Sequence, residues 1–466
     1  MFSTGGLHID QAPPLHLPFR FFVTAPIFLI VTAVSLLVYG QNLLITPLAQ
    51  ETIATVHLIA LGWVCMIMFG AMIQMIPVLA GVPVPWPRLV PWVHGLLVMG
   101  VATMFLGLTT QIHPWMLLFA SFGLGGAVIL FTIPVLKALF QTPSRHPTVM
   151  AMRIATCCLL GVLTLGGVFL GEYAHGFLDM DRIALVMTHL LWGLLGWVGV
   201  LIVGVSFQVL PMFTMAQEIP RKHALFILSG WSLFLIGQPL TLYFSNTNQW
   251  IFWLPTVFFL AAILLYGKSM AVMLGERKRK RVDATLRFWF LGFASGLVSL
   301  ILMASWTFLD AEWNRFLFGG IFLLGCVSSI LLGMLMKIIP FLVWFHRFSR
   351  LAGLVEIPMM DDLIPPLALR WQFPTHLLVI TLMIMAVLSN WEPIIILLAL
   401  SLIVEASLLL YTLWFALGHK PPQQEALPDF DSFFKDTSWM AAKPGETSRA
   451  IAFEIGTYKL LKMINY

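Results

Sequence analysis

A pattern of the form Gly-x7-Gly-x3-Gln/Lys-x2-Pro occurs three times within long apolar runs. The copies are Gly62, Gly70, Gln74 and Pro77, then Gly196, Gly204, Gln208 and Pro211, then Gly325, Gly333, Lys337 and Pro340. Trp63 and Trp197 directly follow the first glycine in two of them. At about 100° per residue the four positions fall within an arc of about 120°, so each copy marks one face of a helix. Successive copies start roughly 130 residues apart, too far for a solenoid repeat and suited to a unit of four membrane-crossing helices. The chain is therefore expected to contain three such units.

Composition names the solvent. With 59% hydrophobic and 10% charged residues, the chain is far from a soluble domain and reads as an integral membrane protein. Apolar runs long enough to span lie at 22–41, 55–80, 92–110, 115–136, 154–171, 183–212, 224–244, 251–274, 288–309, 316–345, 374–389 and 393–417. The expected fold is all-α, a polytopic bundle of 12 transmembrane helices in three pseudo-threefold four-helix units. Residues 1–21 and 418–466 flank the transmembrane domain, 22–417, as cytoplasmic segments. Within the tail, Ile451, Ile455, Tyr458 and Leu461 suit an amphipathic helix lying on the bilayer or the bundle.

The segment Met1–Arg20 is polar and lacks a basic region followed by a short apolar core, so no removable signal peptide is expected. Of the 26 Lys and Arg, only Arg182 and Arg315 fall in odd-numbered loops, with Lys268 and Lys337 inside spans. The positive-inside rule then places both termini in the cytoplasm and the protein in the inner (cytoplasmic) membrane. The densest cluster, Arg277–Arg281, joins spans 8 and 9 and is expected to meet anionic membrane lipids rather than nucleic acid. The outer loops carry Glu51, Glu172, Asp179, Asp181, Asp310, Glu312 and Glu392. Such a rim suits metal cations or a basic partner such as a cytochrome, and loop solubility explains it too. Cys65, Cys157, Cys158 and Cys326 fall inside spans and read as packing residues.

Twelve spans in three units, with the second, sixth and tenth marked, resemble the haem–copper oxidase subunit I superfamily over roughly residues 22–417. The segment His57-Leu-Ile-Ala-Leu-Gly-Trp, leading to Gly70-Ala-Met-Ile-Gln-Met-Ile-Pro77-Val, looks like the second helix of divergent oxidase-like proteins. A looser similarity is to the NnrS family, haem- and copper-containing proteins of the nitric oxide response. In the oxidase family these three helices carry histidine ligands to low-spin haem, copper and high-spin haem. The resemblance thus implies His57 as a haem ligand, His189 as a copper ligand, and haem b or copper as cofactor. It also implies a respiratory or cytochrome partner on the outer face.

The ligand set departs from the family's. Where the seventh helix should carry a histidine pair it reads Gly237-Gln238-Pro239-Leu240-Thr241, and Phe316–Pro340 contains no histidine. Neither high-spin haem nor copper keeps a full set of nitrogen donors, so terminal-oxidase activity is not expected and no catalytic residue is assigned. The implied role is a haem- or metal-binding oxidase-like protein without an oxygen-reducing binuclear centre, linked to respiration or to nitric oxide or metal stress. A transporter of metal, haem or a small solute, or a ligand-free assembly subunit, are the competing readings.

Helical-wheel counting puts His57 opposite the motif stripe and His189 on it, so the two are expected to face different neighbours. A haem-ligating His57 would need a second donor at its depth, for which His189, His113 and His175 are the candidates. Met68, Met72 and Met75 share the face of His57 within about 60°, a soft donor set for Cu(I), with plain packing as the alternative. His175, between Glu172 and Asp179, is an outer metal-ligand candidate. His94, His223 and His376 sit at the cytoplasmic starts of spans 3, 7 and 11, positions suited to lipid headgroups. Glu405 and Lys337 lie within spans, where a charge costs several kcal/mol unless paired or hydrated. They read as a proton or ion step or as fixed interhelical bonds. Gln74, Gln208 and Lys337 each precede the motif proline by three residues and could satisfy the carbonyl freed by its missing N–H.

Overall fold

A computed structural model describes residues 13–110, 113, 115–175, 182–243, 250–306, 308–309, 311–352 and 355–421, with side chains at 174–175, 182, 242–243 and 250–252 left undescribed. Twelve helices are long and apolar enough to cross a membrane. Spans 1–4 are His16–Leu44, Gln50–Ala80, Pro87–Thr110 and Trp115–Gln141. Spans 5–8 are Pro147–Tyr173, Ile183–Thr214, Arg221–Thr241 and Trp253–Glu276, and spans 9–12 are Ala284–Ser305, Glu312–Arg347, Pro366–Ser389 and Glu392–Gly418. Among the described residues there is no β-strand, and the one isolated bridge joins Ala352 and Val355. The protein is an all-helical integral membrane protein.

All twelve spans, apart from Arg347 at the end of span 10, belong to one compact unit, Met1–His346 with Met359–His419. A second comprises Arg347–Pro358 and Lys420–Tyr466, and its described part includes a helical turn at Ser349–Leu351. The amphipathic segment expected at 448–466 lies outside the described residues.

Contacts within the first unit repeat in fours. The first helix of each unit packs on the second (1 on 2, 5 on 6, 9 on 10), and the third on the fourth (3 on 4, 7 on 8, 11 on 12). Span 4 packs on span 5, and span 12 on span 1. The motif glycines explain the first of these pairings. A Cβ on Gly62, Gly196 or Gly325 would come within 2.5–2.9 Å of Phe28, Cys158 or Ser295 respectively, each on the first helix of the same unit. A Cβ on Gly70 would lie 3.1 Å from the Pro18 carbonyl, and one on Gly333 3.1 Å from that of Thr285. Gly204 stands against Ala151, and its carbonyl accepts from the Thr148 hydroxyl at 2.8 Å. Six hydrogens in place of side chains thus let the paired backbones meet, the usual means of helix association in lipid.

Each motif helix also contains a π-helical stretch that sequence periodicity did not reveal: Leu58–Cys65 in span 2, Leu191–Gly199 in span 6 and Ile321–Ser328 in span 10. The first motif glycine lies inside all three. A turn closed by i→i+5 bonds holds one more residue than an α turn, so α-helical counting across it misplaces side chains by about one residue, or roughly 100°. The prolines keep equivalent places in two copies. Gly81 (φ +68°) and Met215 (φ +52°) end spans 2 and 6 in the left-handed region, and each N–H returns to the carbonyl of the motif proline, Pro77 or Pro211. Span 10 instead runs past Pro340 to Arg347.

Candidate functional site: a histidine pair and a buried polar chain

His57 and His189 stand in the last α-helical turns before the π stretches of spans 2 and 6. Their rings are neighbours, with centroids 6.2 Å apart and planes inclined by 35°. This corrects the expectation of different neighbours. The wheel argument counted 100° per residue from each histidine to its motif glycine, and a wide turn intervenes in both. Phe169 packs edge-to-face with His189, their ring centroids 5.6 Å apart.

The proton on His57 is placed by its partner. Nδ1 lies 2.7 Å from the Ile53 carbonyl, which can only accept, so Nδ1 carries the hydrogen and Nε2 is the free donor nitrogen of the neutral ring. Such a carbonyl behind the ring is the arrangement that orients metal-binding imidazoles. On His189 it is Nδ1 that is buried without a hydrogen-bond partner among the described residues. Glycine borders that ring, since a Cβ on Gly166 would sit 3.4 Å from His189 Cε1.

The donor count constrains what this pair can hold. No group of three or more His, Cys, Asp or Glu is placed to hold a metal ion among the described residues. A zinc ion takes about four protein or water ligands, so two imidazoles alone make a poor zinc site. They suffice for haem iron, whose porphyrin supplies the other nitrogens, or for two-coordinate copper(I). Ring centroids 6.2 Å apart leave the two imidazoles near enough to share one ion.

The other sequence candidates are distributed differently. Met68 and Met72 are buried and Met75 half-buried, on the far side of the wide turn from His57. The wheel phase that grouped them with His57 therefore does not hold. The side chain of His175 lies outside the described residues, and His113 is exposed. Gln74 is buried with both amide atoms unpartnered among the described residues, as is Oε1 of Gln208. Gln74 therefore does not satisfy a proline-freed carbonyl, contrary to that expectation. Lys337 instead reaches out of its span, pairing with Asp283 at 3.1 Å. Asp283 caps the start of span 9 by accepting from the Leu286 N–H at 3.0 Å.

Glu405 has a partner that sequence reasoning missed. His376, expected among lipid headgroups, is fully buried, with Nδ1 3.0 Å from Glu405 Oε2 and Nε2 2.8 Å from Ser329 Oγ. Ser329 Oγ also lies 2.5 Å from the Gly325 carbonyl. Gln372, one turn earlier, donates to the Glu405 carbonyl at 3.3 Å. Beside this chain Trp63 donates from Nε1 to Ser328 Oγ at 2.9 Å, and Ser328 donates to the Leu323 carbonyl at 2.8 Å. The signal was present: a carboxylate in mid-span needs a partner, and His376 is the histidine of the adjoining span 11. His94 is also tied inward, 2.8 Å from the Thr24 hydroxyl.

No known protein-family profile matches the chain, and no curated protein matches its sequence.

Proposed function

We propose that the protein holds a metal centre, haem b or a copper(I) ion, between His57 on span 2 and His189 on span 6. The observation that carries this reading is the meeting of two imidazoles from different units at 6.2 Å, with the His57 proton turned away to Ile53. His57 would offer Nε2, the Ile53 carbonyl would fix its ring, and Phe169 would limit rotation of His189. Bound haem b supplies one-electron chemistry. The chain's own contribution is to supply and orient two nitrogen donors and to bury the centre among apolar helices.

The role that follows is an oxidase-like binding protein of the inner membrane, with cytoplasmic termini and a basic cytochrome-type partner for its acidic outer loops. Of the two charges that favour a solute path, Glu405 is paired with His376 and Lys337 with Asp283. Both therefore have a structural explanation, which leaves the metal-centre reading ahead of transport.

The test is an optical spectrum with metal analysis on full-length protein purified from haem-replete cells. A Soret band that shifts on dithionite reduction, or near-stoichiometric copper, is expected, and either should vanish in His57→Ala and His189→Ala. Colourless, copper-free protein would overturn the reading.

A further inference from the structure

The chain from span 12 to span 10 has a proton count that its geometry decides. A carbonyl cannot donate, so the 2.5 Å contact of Ser329 Oγ with the Gly325 carbonyl requires the serine hydrogen to point at that carbonyl. Ser329 Oγ must then accept from His376, which places a hydrogen on His376 Nε2. One hydrogen remains for the 3.0 Å contact between His376 Nδ1 and Glu405 Oε2. Whether carried as a carboxylic acid donating to imidazole or as an imidazolium donating to carboxylate, the pair is neutral overall. A second proton, or none, would leave an uncompensated charge among buried side chains.

Among the described residues, three groups bond to or pack on the pair, and none of them is ionisable near neutral pH. They are Ser329 on span 10, Phe288 on span 9, whose ring lies 5.6 Å from that of His376, and Gln372 on span 11 itself. Asp283, just before span 9, and Lys337, within span 10, pair with each other, and Asp283 also meets Arg279 at 3.8 Å.

The far end of the chain meets the wide turn of span 10. An α-helix would bond the Gly325 carbonyl to the N–H of residue 329; in the π stretch ending at Ser328 the Ser329 hydroxyl occupies that carbonyl instead. His376 holds the hydroxyl in this role by donating to its oxygen. We propose that Glu405 and His376 form an intramembrane proton-binding site, with one proton shared between Oε2 and Nδ1, whose occupancy holds the π turn of span 10. Transfer within the site moves that proton from oxygen to nitrogen and leaves carboxylate and imidazolium, with no net charge gained or lost. Because the chain ends on a carbonyl, which cannot pass a proton on, the site stores a proton and does not conduct one. This inference is independent of what His57 and His189 bind.

Two measurements on full-length protein in nanodiscs test it. In the first, ring-nitrogen NMR of 15N-histidine-labelled protein, with His376 assigned by His376→Gln, should show Nε2 bonded to hydrogen. Ser329→Ala should release that constraint and shift hydrogen toward Nδ1; a bare Nε2 in the unsubstituted protein would overturn the proposal. In the second, amide exchange over residues 321–335 should quicken about tenfold in Ser329→Ala and in Glu405→Ala. Glu405→Gln, whose amide can still donate to Nδ1, should stay within about twofold. Unchanged exchange in folded Ser329→Ala would sever the site from the π turn, and this variant decides the matter should Glu405→Ala not fold.

Discussion

The indole N–H of Trp63 donates to the hydroxyl of Ser328 at 2.9 Å, tying the π stretch of span 2 to that of span 10. Both residues are fully buried, and they lie 265 positions apart in sequence. Trp197, which follows the equivalent glycine in span 6, is placed alike. It lies against Cys65, which ends the π stretch of span 2, and against Phe69 at 5.9 Å. The residue after the first motif glycine thus reaches into the wide turn of another unit in two cases. Trp63→Phe removes one buried hydrogen bond and is expected to destabilise by about 1 kcal/mol. Thermal unfolding in detergent or nanodiscs reads this, and Trp63→Ala should cost about 3–5 kcal/mol in all.

Glycine substitutions separate close approach from helix propensity. Gly70→Leu and Gly333→Leu would drive side chains into the Pro18 and Thr285 carbonyls of the neighbouring span and should cost about 1–3 kcal/mol or prevent folding. Gly95→Ala is the control, because a Cβ there meets nothing within 4 Å. Its unfolding midpoint should not fall, and should rise if the roughly 1 kcal/mol of helix propensity gained is expressed.

The Lys337–Asp283 pair predicts a graded series. Asp283→Asn keeps an acceptor for the Leu286 N–H but loses the charge that Lys337 faces, whereas Asp283→Ala loses both. With both side chains about one-fifth exposed, loss of the ion pair should cost about 1–3 kcal/mol and loss of the cap about 1 more. A double-mutant cycle with Lys337→Met, read by chemical or thermal unfolding, gives the coupling, and additive effects would show that the contact contributes nothing.

Membrane orientation has its own check. Reporter fusions after residues 281 and 419 should be active only as cytoplasmic reporters if the positive-inside rule places the Arg277–Arg281 loop inside, as proposed. A periplasm-specific reporter active at either place would reverse the topology.

Much of the architecture was legible in sequence because lipid imposes it. A spanning segment must be long, apolar and helical, so hydropathy alone located all twelve spans, with motif-helix ends differing from the structure by at most five residues. The motif glycines were legible for a related reason: close backbone approach demands a residue type, and the residue type can be read. The π stretches carry no such mark. An i→i+5 bond is made by backbone groups that every residue has, and Leu58–Cys65 looks like any apolar helix. Missing them displaced the wheel phase of His57, His189 and the three methionines.

What the sequence by itself determined is therefore the solvent, the spans, their grouping in three sets of four and the small residues at the helix contacts. Tertiary structure alone decided that His57 meets His189, that His376 turns inward to Glu405, and that Lys337 leaves its span for Asp283. The physical reason is that burial in hydrocarbon acts on each segment separately and is written into its composition. A hydrogen bond or ring contact between spans depends on relative rotation and depth, and here the wide turns set the rotation.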